Sequence, residues 1–103
     1  MRIIDAHLHL FSEKDSAEEM ARQVGHHNST EHLRQVYGEL GIVHGVVMGN
    51  HSLELGRHDY PADLFHYCVG LDSSLLGGGS RVIADLPDRV EEHLRRDNCC
   101  GVK

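Results

Sequence analysis

Two histidines near the beginning of the chain, His7 and His9, have the residue type and the spacing that a metal site requires. They lie in an apolar run, Arg2 to Phe11, that predicts a strand buried on both faces. Because successive side chains of a strand alternate between its faces, His7, His9 and Asp5 are expected on one face. Two neutral imidazoles placed in this way can bind one divalent ion, with zinc as the first candidate, at about 2.1 Å.

The position of this pair along the chain supports the hypothesis. The chain contains ten histidines, so a His-x-His spacing also arises by chance. His9, however, lies near the end of the predicted strand, and the sites of parallel α/β folds gather where strands end and loops enclose a pocket. The pair supplies two ligands, and two ligands alone do not hold a catalytic zinc.

Strand-like and helix-like segments alternate along the chain. The strand-like runs are residues 2–11, 42–48, 64–71 and 99–103. The helix-like segments are residues 15–24, a segment that begins at one of residues 28–30 and ends before Gly41, and a segment that ends near Arg96. Such a series, connected by right-handed crossovers, predicts an α/β fold with a parallel sheet.

The later helices carry local signals at their ends. Gly41 lies where a left-handed residue ends the second helix. Pro87 is expected near the first turn of the third helix. The inner stripe of that third helix is predicted to be Leu86, Val90, His93 and Leu94.

The length of the chain suggests that this domain is incomplete. Four parallel strands with two or three helices leave open sheet edges, which favour aggregation. A closed (β/α)₈ TIM barrel needs roughly 200 residues or more, whereas this chain has 103. We therefore expect residues 1–103 to form one incomplete domain, the first four or so β/α units of a barrel.

The first strand resembles a known family signature. The segment from Ile3 to Phe11 is similar to the Asp-x-His-x-His signature of the amidohydrolase superfamily, and most similar to its amidohydrolase-2 branch of TIM-barrel hydrolases and decarboxylases. Three further segments fit the second, third and fourth strands of that branch, namely Gly41 to Met48, Phe65 to Asp72 and Asn98 to Lys103. The resemblance spans nearly the whole chain, but only the first segment is specific.

This resemblance implies roles for particular residues. His7 and His9 match the metal ligands of the first strand, and Asp5 matches an aspartate that supports the ligands from behind. Lys103 lies on the fourth strand, where some superfamily members carry a carboxylated lysine that bridges two metals, but other roles for it are favoured. The family's remaining ligands, histidines of the fifth and sixth strands and a proton-shuttling aspartate of the eighth, have no counterpart in these residues.

Other polar residues are weaker candidates. Asn50 and His51 follow the second strand and Asp72 ends the third, so each could contact a substrate or be an ordinary loop residue. Five other histidines are expected to be structural or solvated: His44 and His66 in core hydrogen bonds, His93 on a helix face, and His26 and His27 in a loop that could reach the rim of the site. Arg57, His58 and Asp59 are expected in an exposed loop.

The implied function is hydrolysis of an amide, ester or lactone bond in a small molecule. A bound zinc, or another divalent ion, would lower the pKa of a water molecule to about 7 and so provide the nucleophile. Non-oxidative decarboxylation and phosphoester hydrolysis are alternatives from related enzymes. A non-catalytic metal-binding module is a further alternative if the chain truly ends at Lys103.

Charge and cysteine content narrow the partners. The net charge is −6 with no cluster of Lys and Arg, which argues against a nucleic-acid partner. No run approaches the roughly 20 apolar residues of a membrane span. The three cysteines are odd in number and show no Cys-x-x-Cys spacing, which favours reduced thiols and a cytoplasmic protein. A homo-oligomer stays open.

Overall fold

The computed structural model describes residues 1–11, 16–49, 52–71 and 79–103, with the backbone alone for 79–82. These residues form a four-stranded parallel sheet in which each strand pairs with the next one along the chain. The strands are β1 (Ile3–Leu8), β2 (Ile42–Met48), β3 (Phe65–Val69) and β4 (Cys99–Val102). The predicted α/β class with a parallel sheet is therefore confirmed.

The described residues contain three α-helices: α1 (Ala17–Gln23) and α2 (Thr30–Leu40) lie between β1 and β2, and α3 (Gly79–Leu94) lies between β3 and β4. The hydroxyl of Ser29 accepts a hydrogen bond from the backbone amide of His32 at 3.1 Å and so caps α2. Gly41 ends the same helix with a φ of 72°, a left-handed conformation that glycine adopts without steric cost. Both ends of α2 lie where the sequence predicts them. None of the helices in the described ranges is long and apolar enough to cross a membrane.

The third helix differs from its prediction in where it begins and in one residue of its inner stripe. It begins at Gly79, so Pro87 lies inside the helix and not near its first turn. Proline lacks an amide proton and costs one intrahelical hydrogen bond there, yet the apolar stripe continues past it. Leu86 and Val90 pack against the core and His93 is fully buried, but Leu94 is 48% exposed. Leu94 lies one step of about 100° around the helix from His93, which turns it off the buried stripe.

The core of the protein is rich in aromatic residues from β3 and from the loop before it. Phe65, Tyr67 and Val69 of β3 are completely buried. Leu53 and Tyr60 join this core, although residues 49–62 are predicted to form a polar loop. The Tyr60 hydroxyl donates to the carbonyl of Leu10 at 2.9 Å and so fastens the loop to the segment that follows β1. A segment can thus be polar on average and still supply buried anchors.

The outer strands of the sheet keep apolar side chains at the surface. Ile4 of β1 and Val102 of β4 are exposed, and so is Val43 of β2. Parallel sheets are normally covered on both faces. In the part of the chain that the structure describes, these side chains are open to solvent instead.

Candidate functional site

The imidazoles of His7 and His9 meet at the carboxyl end of β1. Their Nε2 atoms are 3.3 Å apart, and the ring centroids are 5.2 Å apart at an interplanar angle of 69°. Leu8, between them, packs against the core, so the two rings lie on the other side of the strand and are exposed. The structure therefore brings together the two residues that the sequence analysis predicts as metal ligands.

The distance between the two nitrogens fits a shared metal ion. Two ligands at about 2.1 Å from a tetrahedral zinc lie about 3.4 Å apart. The observed 3.3 Å matches that value, and it also permits a direct N–H···N hydrogen bond. In the described ranges, no group of three His, Cys, Asp or Glu side chains is arranged to hold a metal. The residues present thus fit half of a zinc site.

Asp5 lies on a different side of the strand from the one that strict alternation predicts. Asp5 pairs with Gly45 and Leu8 pairs with Val47, so three residue steps on β1 match two on β2. This irregularity turns the Asp5 carboxylate toward α2, where Oδ2 accepts a hydrogen bond from the Tyr37 hydroxyl at 3.0 Å. Its Oδ1 accepts from the backbone amide of His7 at 3.2 Å. Asp5 thus supports His7 through the backbone and not through its ring.

Gly45 makes the contact between Tyr37 and Asp5 possible. A Cβ atom at position 45 would lie 2.7 Å from the Tyr37 hydroxyl oxygen and 2.7 Å from Leu8 Cδ2. Only glycine leaves enough room for the hydroxyl at this point. Burial raises the pKa of Tyr37, and the neighbouring Asp5 carboxylate raises it further. The phenol therefore stays protonated and keeps donating to Asp5.

An apolar groove opens beside His9. Its volume is about 570 Å³, within the range of small-molecule sites. One wall is a stripe of α1 with helical spacing, formed by Ala17, Met20, Ala21 and Val24. The rest of the lining is His9, Phe11, His27 and Asn28. The groove is thus continuous with the histidine pair.

Hydrogen bonds fasten this groove to the end of β1. The Asn28 amide group donates to the carbonyl of Phe11 and accepts from its backbone amide, both at 3.0 Å. Glu18 accepts from the backbone amide of Asn28 and lies 3.3 Å from His27 Nδ1. The bond from the Asn28 amide lowers the pKa of Glu18. His27 is an exposed loop residue, as predicted, and it also lines the groove.

The carboxyl ends of β2 and β3 lie at the same edge of the sheet as that of β1. A Cβ on Gly49 would lie 2.1 Å from the backbone nitrogen of Gly70, so the two segments that follow β2 and β3 are in close contact. Asn50, His51 and Asp72, the predicted substrate contacts that follow, lie outside the described residues. Lys103 follows β4, and two strands separate it from the histidine pair, so its role as a ligand stays a prediction.

No family model, curated protein or solved structure matches this chain. The likeness to amidohydrolases therefore depends on the residues of the first strand and on their geometry. The chemistry of amidohydrolases is therefore a proposal for this chain.

The other histidines serve different purposes. His44 Nε2 and His66 Nδ1 are 2.6 Å apart on neighbouring strands, closer than two ligands of one tetrahedral zinc. Burial lowers the pKa of His44, and the neighbouring His66 lowers it further. His93 is buried, as predicted. His58 is also completely buried, which corrects the expectation that residues 57–59 form an exposed loop throughout.

Proposed function

We propose that this chain is the first part of a TIM-barrel metal-dependent hydrolase that acts on an amide, ester or lactone bond of a small molecule. His7 and His9 would hold a divalent ion, with zinc as the first choice. The observation that carries this proposal is the 3.3 Å separation of the two Nε2 atoms at the carboxyl end of β1. This separation is close to the roughly 3.4 Å expected between two ligand nitrogens of one tetrahedral zinc ion.

The chain's own residues position this pair. Leu8 anchors the strand in the core between the two rings, and the Asp5 carboxylate holds the amide of His7. A bound divalent ion would supply Lewis-acid activation of water and of the scissile carbonyl. The remaining ligands and the proton-transferring group would come from residues outside those the structure describes. Asp5, fastened by Tyr37, would keep the first ligand in register as the substrate binds.

The first test is the metal content of the full-length protein. We expect the wild type, purified without chelators, to contain zinc or another divalent ion in stoichiometric amount. The double variant His7→Ala/His9→Ala should lose it, since two ligands disappear at once. The matched control is His26→Ala/His32→Ala, which removes two other exposed histidines and should keep the metal. Equal metal content in all three proteins would refute the ligand assignment.

The second test is activity. The wild type is assayed with a panel of small amides, esters and lactones before and after removal of metal by a chelator. Activity should vanish with the metal, return when zinc is added back, and be absent from His7→Ala/His9→Ala. If the protein released carbon dioxide from aromatic carboxylic acids and hydrolysed no compound of the panel, its proposed function would change from hydrolase to decarboxylase. Activity that survives chelation would refute the proposal.

A further inference from the structure

We propose that the groove between α1 and the end of β1 binds the apolar part of the substrate, an alkyl or aryl group attached to the bond that is cleaved. This inference rests on the proposed function, which it deepens by naming the substrate class. The groove, defined by the residues given above, lies next to His9, so a molecule held there has its neighbouring atoms beside the histidine pair.

The chemistry of the lining selects an apolar ligand. Five of the eight lining residues are apolar: Phe11, Ala17, Met20, Ala21 and Val24. The short side chains of the two alanines form the floor of the groove, and the exposed side chains of Met20, Val24 and Phe11 form its walls. An unbranched chain or a flat ring fits between such walls, and its transfer from water is favourable in proportion to the area that it covers.

The polar residues of the groove limit how such a ligand can lie. His9, His27 and Asn28 are the three polar residues in the lining. Asn28 uses its side chain to hold Phe11, and His27 is oriented by Glu18, so both belong to a hydrogen-bonded frame. His9 is the group of the three that is shared with the proposed metal site. An amide or ester group would therefore point toward His9 and its apolar tail along α1.

The size of the groove favours a small molecule over a protein segment. At about 570 Å³ it lies within the 300–1,000 Å³ of typical ligand sites. Its frame is made by hydrogen bonds of Asn28 to Phe11, which follows β1, and to Glu18 in the first turn of α1. A side chain from elsewhere in the protein is the competing occupant, and the experiment below distinguishes the two.

The test measures binding of two neutral amides that differ only in their apolar tail. Hexanamide and acetamide are titrated into the zinc-free full-length protein, and amide NMR shifts are followed. If they were fully buried, the four extra methylene groups of hexanamide would strengthen its binding by about two hundredfold relative to acetamide. Because the groove is open, we expect hexanamide to bind about tenfold more tightly than acetamide. Shifts should concentrate at Met20 and Val24. The proposal would be refuted if the two amides bound with equal affinity, or if hexanamide changed the NMR shifts of residues elsewhere in the protein. It would also be refuted if another segment of the protein already filled the groove.

Two variants locate the binding site. Met20→Lys introduces a charge into the groove, and Ala21→Phe fills it without charge, so each should weaken hexanamide binding by about tenfold. Leu40→Lys makes the same change at an equally exposed leucine on α2, since Met20 is 58% and Leu40 60% exposed, and it should leave binding unchanged. All three should keep the wild-type metal content. Because binding is measured without metal, a failure here is separate from a failure of the ligand assignment, which His7→Ala/His9→Ala decides.

Discussion

Two pairs of histidines in this protein differ in almost every physical respect. His7 and His9 are exposed at the edge of the sheet, and their Nε2 atoms approach each other to 3.3 Å. His58 and His93 are completely buried, with ring centroids 4.8 Å apart. The first pair keeps its nitrogens available to a ligand, whereas the second has most of them occupied by the protein. Residue type alone therefore does not distinguish a metal ligand from a structural histidine.

The buried pair is held in its neutral form. His93 Nε2 lies 3.1 Å from the carbonyl of Leu53, to which it donates, and Nδ1 accepts from the Tyr67 hydroxyl at 2.9 Å. His58 Nδ1 donates to the carbonyl of Glu54 at 3.1 Å, while its buried Nε2 has no hydrogen-bond partner among the described residues. Burial lowers the pKa of both histidines and raises the pKa of Tyr67 to about 12.

The largest effect is expected from His93→Ala. The substitution opens a cavity and removes the hydrogen bonds that His93 makes with the Leu53 carbonyl and the Tyr67 hydroxyl. We expect the free energy of unfolding to fall by about 3–4 kcal/mol. His9→Ala, which removes an exposed ring, should change it by less than about 0.5 kcal/mol. Urea denaturation of the metal-free proteins measures both values. Equal losses would show that burial does not separate the two pairs.

The second prediction concerns pH. The ordinary pKa of these histidines is 6.5, and burial lowers it in the folded protein for both His58 and His93. Below pH 6.5 the unfolded chain therefore binds protons that the folded protein does not. Stability is complete above pH 6.5 and decreases as the pH falls from 6.5 toward the lowered values, by up to about 1.4 kcal/mol per pH unit for each histidine. Urea denaturation at pH 7.5, 6.5 and 5.5 measures this slope.

Burial is the largest cause of the lowered pKa of His58, and the hydrogen bond to the Glu54 carbonyl opposes it. His93 and Arg96 oppose a positive charge on His58, while Asp59 favours it but pairs with Arg96 at 2.7 Å. His58→Phe should therefore reduce the loss of stability between pH 6.5 and 5.5. The pH prediction fails if the wild-type slope persists unchanged in His58→Phe.

A smaller loss of stability than that of His93→Ala is expected from Tyr37→Phe, which acts beneath the exposed pair. It removes the hydrogen bond from the Tyr37 hydroxyl to Asp5 and should cost about 1 kcal/mol of stability. Both imidazoles remain, so the metal content should be retained. Denaturation and metal analysis of the same preparation test both statements. A complete loss of metal in Tyr37→Phe would mean that Asp5 acts on the metal site more directly than its bond to the His7 amide indicates.

Features that depend on neighbouring residues could be predicted from the sequence. The β2 strand has exactly the expected bounds, Ile42–Met48, because a continuous apolar run needs no distant information. The cap at Ser29 and the left-handed Gly41 follow from backbone chemistry within one turn of the helix. The approach of His7 and His9 follows from strand alternation, because Leu8 between them is held in the core.

Features that depend on distant residues were decided by the tertiary structure. Asp5 faces α2 because β1 gains one residue relative to β2, and Tyr37 reaches it over Gly45. His58 is buried because Tyr67 and His93, far along the chain, close around it.

The sequence by itself thus determined the strand and helix types and the pairing of His7 with His9, since these depend on local periodicity. The tertiary structure alone decided that His58 is buried and that the α1 stripe faces His9 across a groove. The physical reason is that burial and pocket shape depend on contacts between segments, which no local pattern encodes.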